Sequence, residues 1–193
     1  MLNKKQKLND LNNRMVQDKN LPLQESNLVF GEGSSEAEIF FIGEAPGIKE
    51  DQLCRPFVGR SGQLLTKTIE SLGLKREDVY ISNIVKRRPP ENRDPLSEEI
   101  EAYKPYLKEQ IEIIKPKIIV TLGRFSMNYF IEKAKISKDQ GKTFKVGDYL
   151  IVPMFHPAAA LRGTTVLNQF QESFKKLPVV LKKYDDLMSG DDK

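Results

Sequence analysis

Four short apolar runs rich in β-branched and aromatic residues, at 38–43, 79–84, 117–123 and 149–155, alternate with segments patterned as helices. This alternation narrows the possible folds more than any other feature of the chain. The helical patterns are 62–72, closed by Gly73 as a C-cap signal; 97–114, opening on Ser97 with Glu98 and Glu99 in its first turn; 124–135; and 168–184. Strands joined through helices run parallel with right-handed crossovers, so the expectation is an α/β fold, a three-layer α/β/α sandwich with a central four-stranded parallel sheet. At 193 residues the chain is long enough for one core that buries about 70% of the unfolded surface. A single domain is therefore expected over 28–184. It is preceded by a polar lead-in, 1–27, in which Leu8, Leu11, Met15 and Val16 have the spacing of a short amphipathic helix. The acidic stretch 185–193 reads as a flexible tail.

Composition excludes several classes of function. Hydrophobic residues at 39% and charged residues at 30% are ordinary for a soluble globular chain. No apolar run approaches the ~20 residues of a membrane span, and 1–24 is too polar for a signal peptide, so a cytoplasmic monomer with no membrane partner is expected. Cys54 is the only cysteine and His156 the only histidine, which rules out disulfides, thiolate zinc sites and iron–sulfur clusters together and leaves only a carboxylate magnesium site open. A net charge of +4 and a pI near 9.0 suit a polyanionic partner.

In an open α/β sheet, ligands bind outside the carboxyl ends of the strands. The first run is followed by Gly43-Glu44-Ala45-Pro46-Gly47, the second ends at Asn83, and the fourth leads into His156-Pro157. Segments distant in sequence thus converge on one crevice. No Walker phosphate loop or GxGxxG pattern is present.

Three of these segments, GEAPGIKEDQLCRPFVGRSGQLL (43–65), NIVKRRPPENRDP (83–95) and HPAAALR (156–162), resemble family 4 of the uracil-DNA glycosylase superfamily in order and spacing. The resemblance covers residues 29–162. It implies a monofunctional DNA N-glycosylase that releases uracil from DNA and leaves an abasic site for base-excision repair, with downstream repair proteins as further partners. Members of that family carry one cysteine just before the RPP of the second motif and another near the start of the next helix, where this chain has Arg87 and Tyr103. Their remaining two cysteines lie in the lead-in, where 17–22 has none, and Cys54 stands at a place where the family often has glycine. No four-iron, four-sulfur cluster is therefore expected, and Tyr103 with neighbouring apolar residues should fill its space.

The chemistry assigns roles to residues of these motifs. Breaking the bond between C1′ and the uracil nitrogen creates a cationic sugar and an anionic base, so stabilising both charges is the main task. His156, at a strand end, can donate to uracil O2; the resemblance gives the motif histidine the same place. Asn83 can donate to O4 and accept from N3–H, a polarity that cytosine would oppose. Phe57 can stack on the extruded base. Glu44, then Asn92, then Glu50 are the candidates for orienting water and stabilising the cation. Gly43, Ala45, Pro46 and Gly47 bring backbone close to the base. Ser61, with Gly59 and Gly62, opens a helix whose N-terminus suits a phosphate, and the basic run Lys86, Arg87, Arg88, with Arg93, is expected to track the DNA backbone. In the last motif Pro157 and Ala158 press on the minor groove, Leu161 is a candidate wedge and Arg162 a phosphate contact. No lysine stands where a Schiff base would form, so strand cleavage is not expected. The rival expectations are a glycosylase for another deaminated base, such as hypoxanthine or xanthine, and a non-catalytic DNA-binding relative.

Overall fold

The computed structural model describes residues 2–190. In chain order its elements are α1 (Lys4–Gln17), β1 (Glu32–Gly33), β2 (Ile39–Gly43), α2 (Ile48–Leu53), α3 (Arg60–Glu70), β3 (Tyr80–Asn83), α4 (Ser97–Ile114), β4 (Ile118–Leu122), α5 (Arg124–Phe130), α6 (Ile136–Asp139), β5 (Phe144–Val146), β6 (Tyr149–Met154), α7 (Pro157–Ala160), α8 (Thr164–Lys175), α9 (Leu177–Lys182) and α10 (Tyr184–Ser189). The sheet corrects the expectation of four parallel strands: it has six, in the order β1-β3-β2-β4-β6-β5, and is mixed. Its four inner strands are parallel, but β1 pairs antiparallel with β3 and β5 antiparallel with β6. Both edge strands escape a reading based on apolar runs. β1 has two residues flanked by Gly31 at φ +135°, and β5 has three half-buried or exposed residues joined to β6 through Gly147 at φ +57°.

The inner strands are buried on both faces, and their alternation sends successive residues into two cores. Phe40, Ile42, Ile119 and Ile151 pack with Leu8, Leu11 and Met15 of α1 and Tyr103, Leu107 and Ile111 of α4. Ile39, Phe41, Val120 and Val152 pack on the other side with Leu65 and Ile69 of α3 and Phe170 and Phe174 of α8. Val16, expected on the apolar face of α1, points outward. The pattern at 124–135 ends early, at Phe130, and the one at 168–184 begins at Thr164 and breaks before α9, where Pro178 fits a new first turn but not a helix interior. Part of the expected tail is also ordered. α10 holds Tyr184 Oη against the Asp148 carbonyl (3.0 Å) and offers the Met188 carbonyl to Lys145 Nζ (2.7 Å), while 191–193 lie outside the described residues.

Because β3, β2, β4 and β6 run parallel, their carboxyl ends share one edge of the sheet. The segments leaving those ends are 44–47, 84–95, 123–125 and 155–162.

Candidate active site

A cleft of about 570 Å³ opens at this edge, and each of the four segments contributes to it. From the first motif it is lined by Glu44, Ala45, Pro46, Gly47, Glu50, Phe57 and Ser61; from the second by Asn83, Asn92 and Arg93; from the third by His156, Ala158 and Arg162. Gly43, Arg88, Pro157 and Leu161 are outside this lining. Gly123, Arg124, Asp94 and Phe155 also line the cleft and were not anticipated. The glycine that ends the third apolar run was the one signal available for them.

Phe57 and Asn83 meet over Gly43. A Cβ at Gly43 would overlap Asn83 Oδ1 and come 2.5 Å from Phe57 Cζ, so only glycine allows the close approach. Phe57 has φ +50° and is buried, and a Cβ at Gly62 would lie 2.7 Å from its Cα, so the start of α3 presses directly on its backbone. Its ring centroid is 5.7 Å from that of His156, tilted by 32°. Asn83 is 1% exposed and its Oδ1 has no hydrogen-bond partner, an arrangement that costs stability unless a ligand donor fills it.

His156 Nδ1 accepts from the Ala158 N–H (3.1 Å), which leaves the proton on Nε2. Burial is the chief reason its pKa falls to about 4; Glu50 pulls it up, and Arg162 lowers it further. The ring is thus a neutral N–H donor at physiological pH. Glu44 behaves in the opposite sense. Burial raises its pKa, Asp94 adds to the rise, and the N–H of Phe125, which donates to Oε1 at 3.0 Å, opposes it along with Arg124.

Glu50 is occupied structurally. Its buried Oε1 accepts from the N–H groups of Val58 (2.9 Å) and Gly59 (2.8 Å), the two residues just ahead of α3. Asn92 has φ +53°, is exposed, and accepts from Arg88 Nε at 2.7 Å. Arg93 is held by Glu99 through two bonds (2.9 and 2.6 Å). Arg162 is exposed and makes no ion pair among the described residues. Leu161 is 43% exposed.

The basic run does not form one outward face. Lys86 is fully buried, with Nζ donating to Ser82 Oγ (2.6 Å) and Gln110 Oε1, and burial drives its pKa far down. Arg87 is buried and donates through Nη1 to the Ser26 carbonyl. The cause is the segment before β1, which crosses over this stretch: the N–H of Val29 donates to the Lys86 carbonyl (2.8 Å) and Ser26 Oγ to the Arg88 carbonyl (2.8 Å). Arg87 and Tyr103 stand where the resembled family keeps two cluster cysteines. Tyr103, fully buried, donates to the Pro22 carbonyl (2.8 Å), and Tyr106 to Asp18 Oδ2 (2.6 Å). These side chains do not fit an iron–sulfur cluster. The one thiol, Cys54, is exposed at the end of α2.

Fold and cleft are those of an open α/β protein that takes its ligand at the carboxyl edge of the sheet. The family model described as "Uracil DNA glycosylase superfamily" matches residues 30–178, and the chain belongs to that superfamily. It is similar to the type-4 uracil-DNA glycosylase of Sulfurisphaera tokodaii, 50% identical over 162 residues that cover 79% of this chain and 74% of the relative. The type-4 uracil-DNA glycosylase of Saccharolobus solfataricus is 51% identical over 165 residues, 80% of this chain and 76% of the relative. That of Archaeoglobus fulgidus is 44% identical over 161 residues, with coverage of 79% and 81%.

Proposed function

We propose that this protein is a monofunctional uracil-DNA glycosylase that hydrolyses the N-glycosidic bond of deoxyuridine in DNA. The observation that carries this reading is the unpartnered Asn83 Oδ1, buried in the same cleft as the Nε2–H of His156 and the ring of Phe57. An oxygen acceptor left open there suits the N3–H of uracil. The unprotonated N3 of cytosine would leave it unsatisfied, and rejection on such grounds is strong.

On this reading the base is extruded from the duplex at a cost of a few kcal/mol and stacks on Phe57. The C1′–N1 bond breaks with its electron pair leaving on uracil. The neutral imidazole of His156 donates to O2, where the charge gathers, with a stabilisation of about 3 kcal/mol for one positioned donor. A water adds to C1′, its proton passing to solvent or to the departing uracil anion, and the products are uracil and an abasic site. Glu44 supplies negative charge near the sugar cation, and Asn92 is a polar neighbour from the segment after β3. Glu50 serves by holding the Phe57 loop against α2. Arg162 contacts a phosphate and Leu161 fills the vacated stack, with Pro157, Ala158, Ser61, Arg88 and Arg93 along the DNA path. No lysine lines the cleft, in keeping with hydrolysis without strand cleavage.

Among the described residues no helix is long and apolar enough to cross a membrane. We further propose that the protein acts as a cytoplasmic monomer on uracil-containing DNA. Incubation with an oligonucleotide carrying one deoxyuridine, followed by alkali, should cut at that position. A panel with hypoxanthine and xanthine separates the same-fold specificities, and no cleavage of any single- or double-stranded substrate would refute the activity.

A further inference from the structure

Three adjacent strand ends meet at one residue that no motif reading singled out. Gly123 leaves β4 at φ +105°, between the segment after β2, which carries Glu44, and the segment after β6, which carries His156. Its N–H donates to the Met154 carbonyl (2.9 Å), so its place beside β6 is fixed by the backbone. A Cβ built there would overlap Glu44 Oε1, lie 2.8 Å from Glu44 Cδ and stand 3.3 Å from His156 Cβ. As N-cap of α5 it offers no side chain to the helix, and the open N–H of Phe125 is taken by Glu44 instead. A serine or aspartate, the usual solution for a helix start, would be strained at φ +105°, so the amide is left to the carboxylate.

We propose that Gly123 is a positioning residue: by lacking a side chain it seats the Glu44 carboxylate on the first turn of α5, at the distance from His156 that the excision step uses. This inference rests on the proposed role of Glu44 in stabilising the sugar cation. Gly43 is its counterpart on the base side, since a Cβ there would strike Asn83 and Phe57. The two glycines therefore serve separate halves of the reaction, one the charge and one the base.

The test is a double-mutant cycle on the full chain, with single-turnover excision from a deoxyuridine oligonucleotide as readout. Glu44→Gln should lower the maximal rate by about 10²-fold. Gly123→Ala should lower it by a similar factor while KM stays within about twofold, because base recognition is untouched. The double variant Gly123→Ala/Glu44→Gln should be no slower than Glu44→Gln alone. Multiplying losses for the Gly123 pair would overturn the inference and leave the role of Glu44 standing. A wild-type rate for Glu44→Gln would overturn that role and this inference with it. Should Gly123→Ala not fold, since φ +105° strains any side chain there, Glu44→Asp decides: one methylene shorter, it keeps the charge but falls short of the Phe125 N–H across Gly123, so a loss close to that of Glu44→Gln supports the seating and a wild-type rate overturns it.

Discussion

His156 offers a quantitative check on the cleft, because it is the only imidazole in the chain and its signals cannot be confused with any other. In the folded protein burial holds its pKa near 4, against 6.5 when free. The unfolded chain therefore binds a proton between pH 6.5 and 4 that the folded chain refuses. Stability from this residue is complete above pH 6.5, falls as the pH drops through the window, and levels off below 4. A displacement of this size corresponds to about 3 kcal/mol. Replacement by asparagine, which cannot take up the proton, should remove that slope. Urea unfolding of wild type and His156→Asn at pH 4, 5, 6 and 7 measures it as the difference between the two curves, in which the carboxylates common to both cancel. The wild type should lose about 3 kcal/mol more than the variant across the range. In parallel, the imidazole carbon shifts of the folded protein should stay at their neutral values down to pH 5, and excision should show no inflection near 6.5. An imidazole that titrates near 6.5 in the folded state, or unfolding curves that fall in parallel, would refute both the burial argument and the assignment of a neutral donor.

Other perturbations follow from the same geometry. Glu50→Ala leaves the part-buried N–H groups of Val58 and Gly59 without their carboxylate acceptor and should cost about 2 kcal/mol in urea unfolding; a loss below ~0.5 kcal/mol would contradict the tethering role. Lys86 is refused its proton on folding, so stability should rise with pH toward 10.5 in the wild type and not in Lys86→Met, a difference readable in melting curves from pH 7 to 10. Arg162→Ala should weaken DNA binding for every sequence and make the slope of log affinity against log salt shallower by about 1, without changing the choice of base; an unchanged slope would remove Arg162 from the phosphate path. Tyr103→Phe should cost about 1 kcal/mol through the lost bond to Pro22, and chelators should leave both stability and excision unchanged; a fall in excision with EDTA would contradict the reading.

The inner sheet was legible because its four strands are buried on both faces and so appear as continuous apolar runs. The edges were not: Glu32–Gly33 owes its pairing to glycines with positive φ and to the register against Ile81 and Tyr80, neither of which leaves a hydrophobic mark. Phe144–Val146 is a hairpin return set by Gly147. The gathering of the 43–47 loop, Asn83 and His156 at one edge followed from strand direction, and Phe57 was drawn in by the resembled motif. What each polar group does there did not, because hydrogen-bond partners come from elements far away in sequence. Lys86 and Arg87 look like a solvated basic stripe until Val29 and Ser26 are seen to cross over them. Glu50 resembles any surface glutamate beside Lys49 and Asp51 until the turn at Cys54, φ +52°, brings the Phe57 loop back onto it.

The first motif acquires a physical rationale from its two carboxylates. Glu44 satisfies the N–H of Phe125 at the start of α5, and Glu50 those of Val58 and Gly59 at the start of α3, and in each case the N-cap is a glycine without a cap of its own. α5 thus gives up local capping in favour of a carboxylate, and the lead into α3 is held by a second one from the same short stretch of chain. Anions are favoured at helix N-termini, so the interaction is stabilising as well as geometric. The consequence is rigidity where it matters: the stretch that forms one wall of the cleft is tied at its beginning to the wall beyond β4 and at its end to the loop bearing Phe57. Local caps on either helix would hold those helices equally well and leave the wall free to move. On the proposed reading, in which one unpaired amide oxygen distinguishes bases, that freedom would be costly, since about an ångström of misplacement impairs such a site.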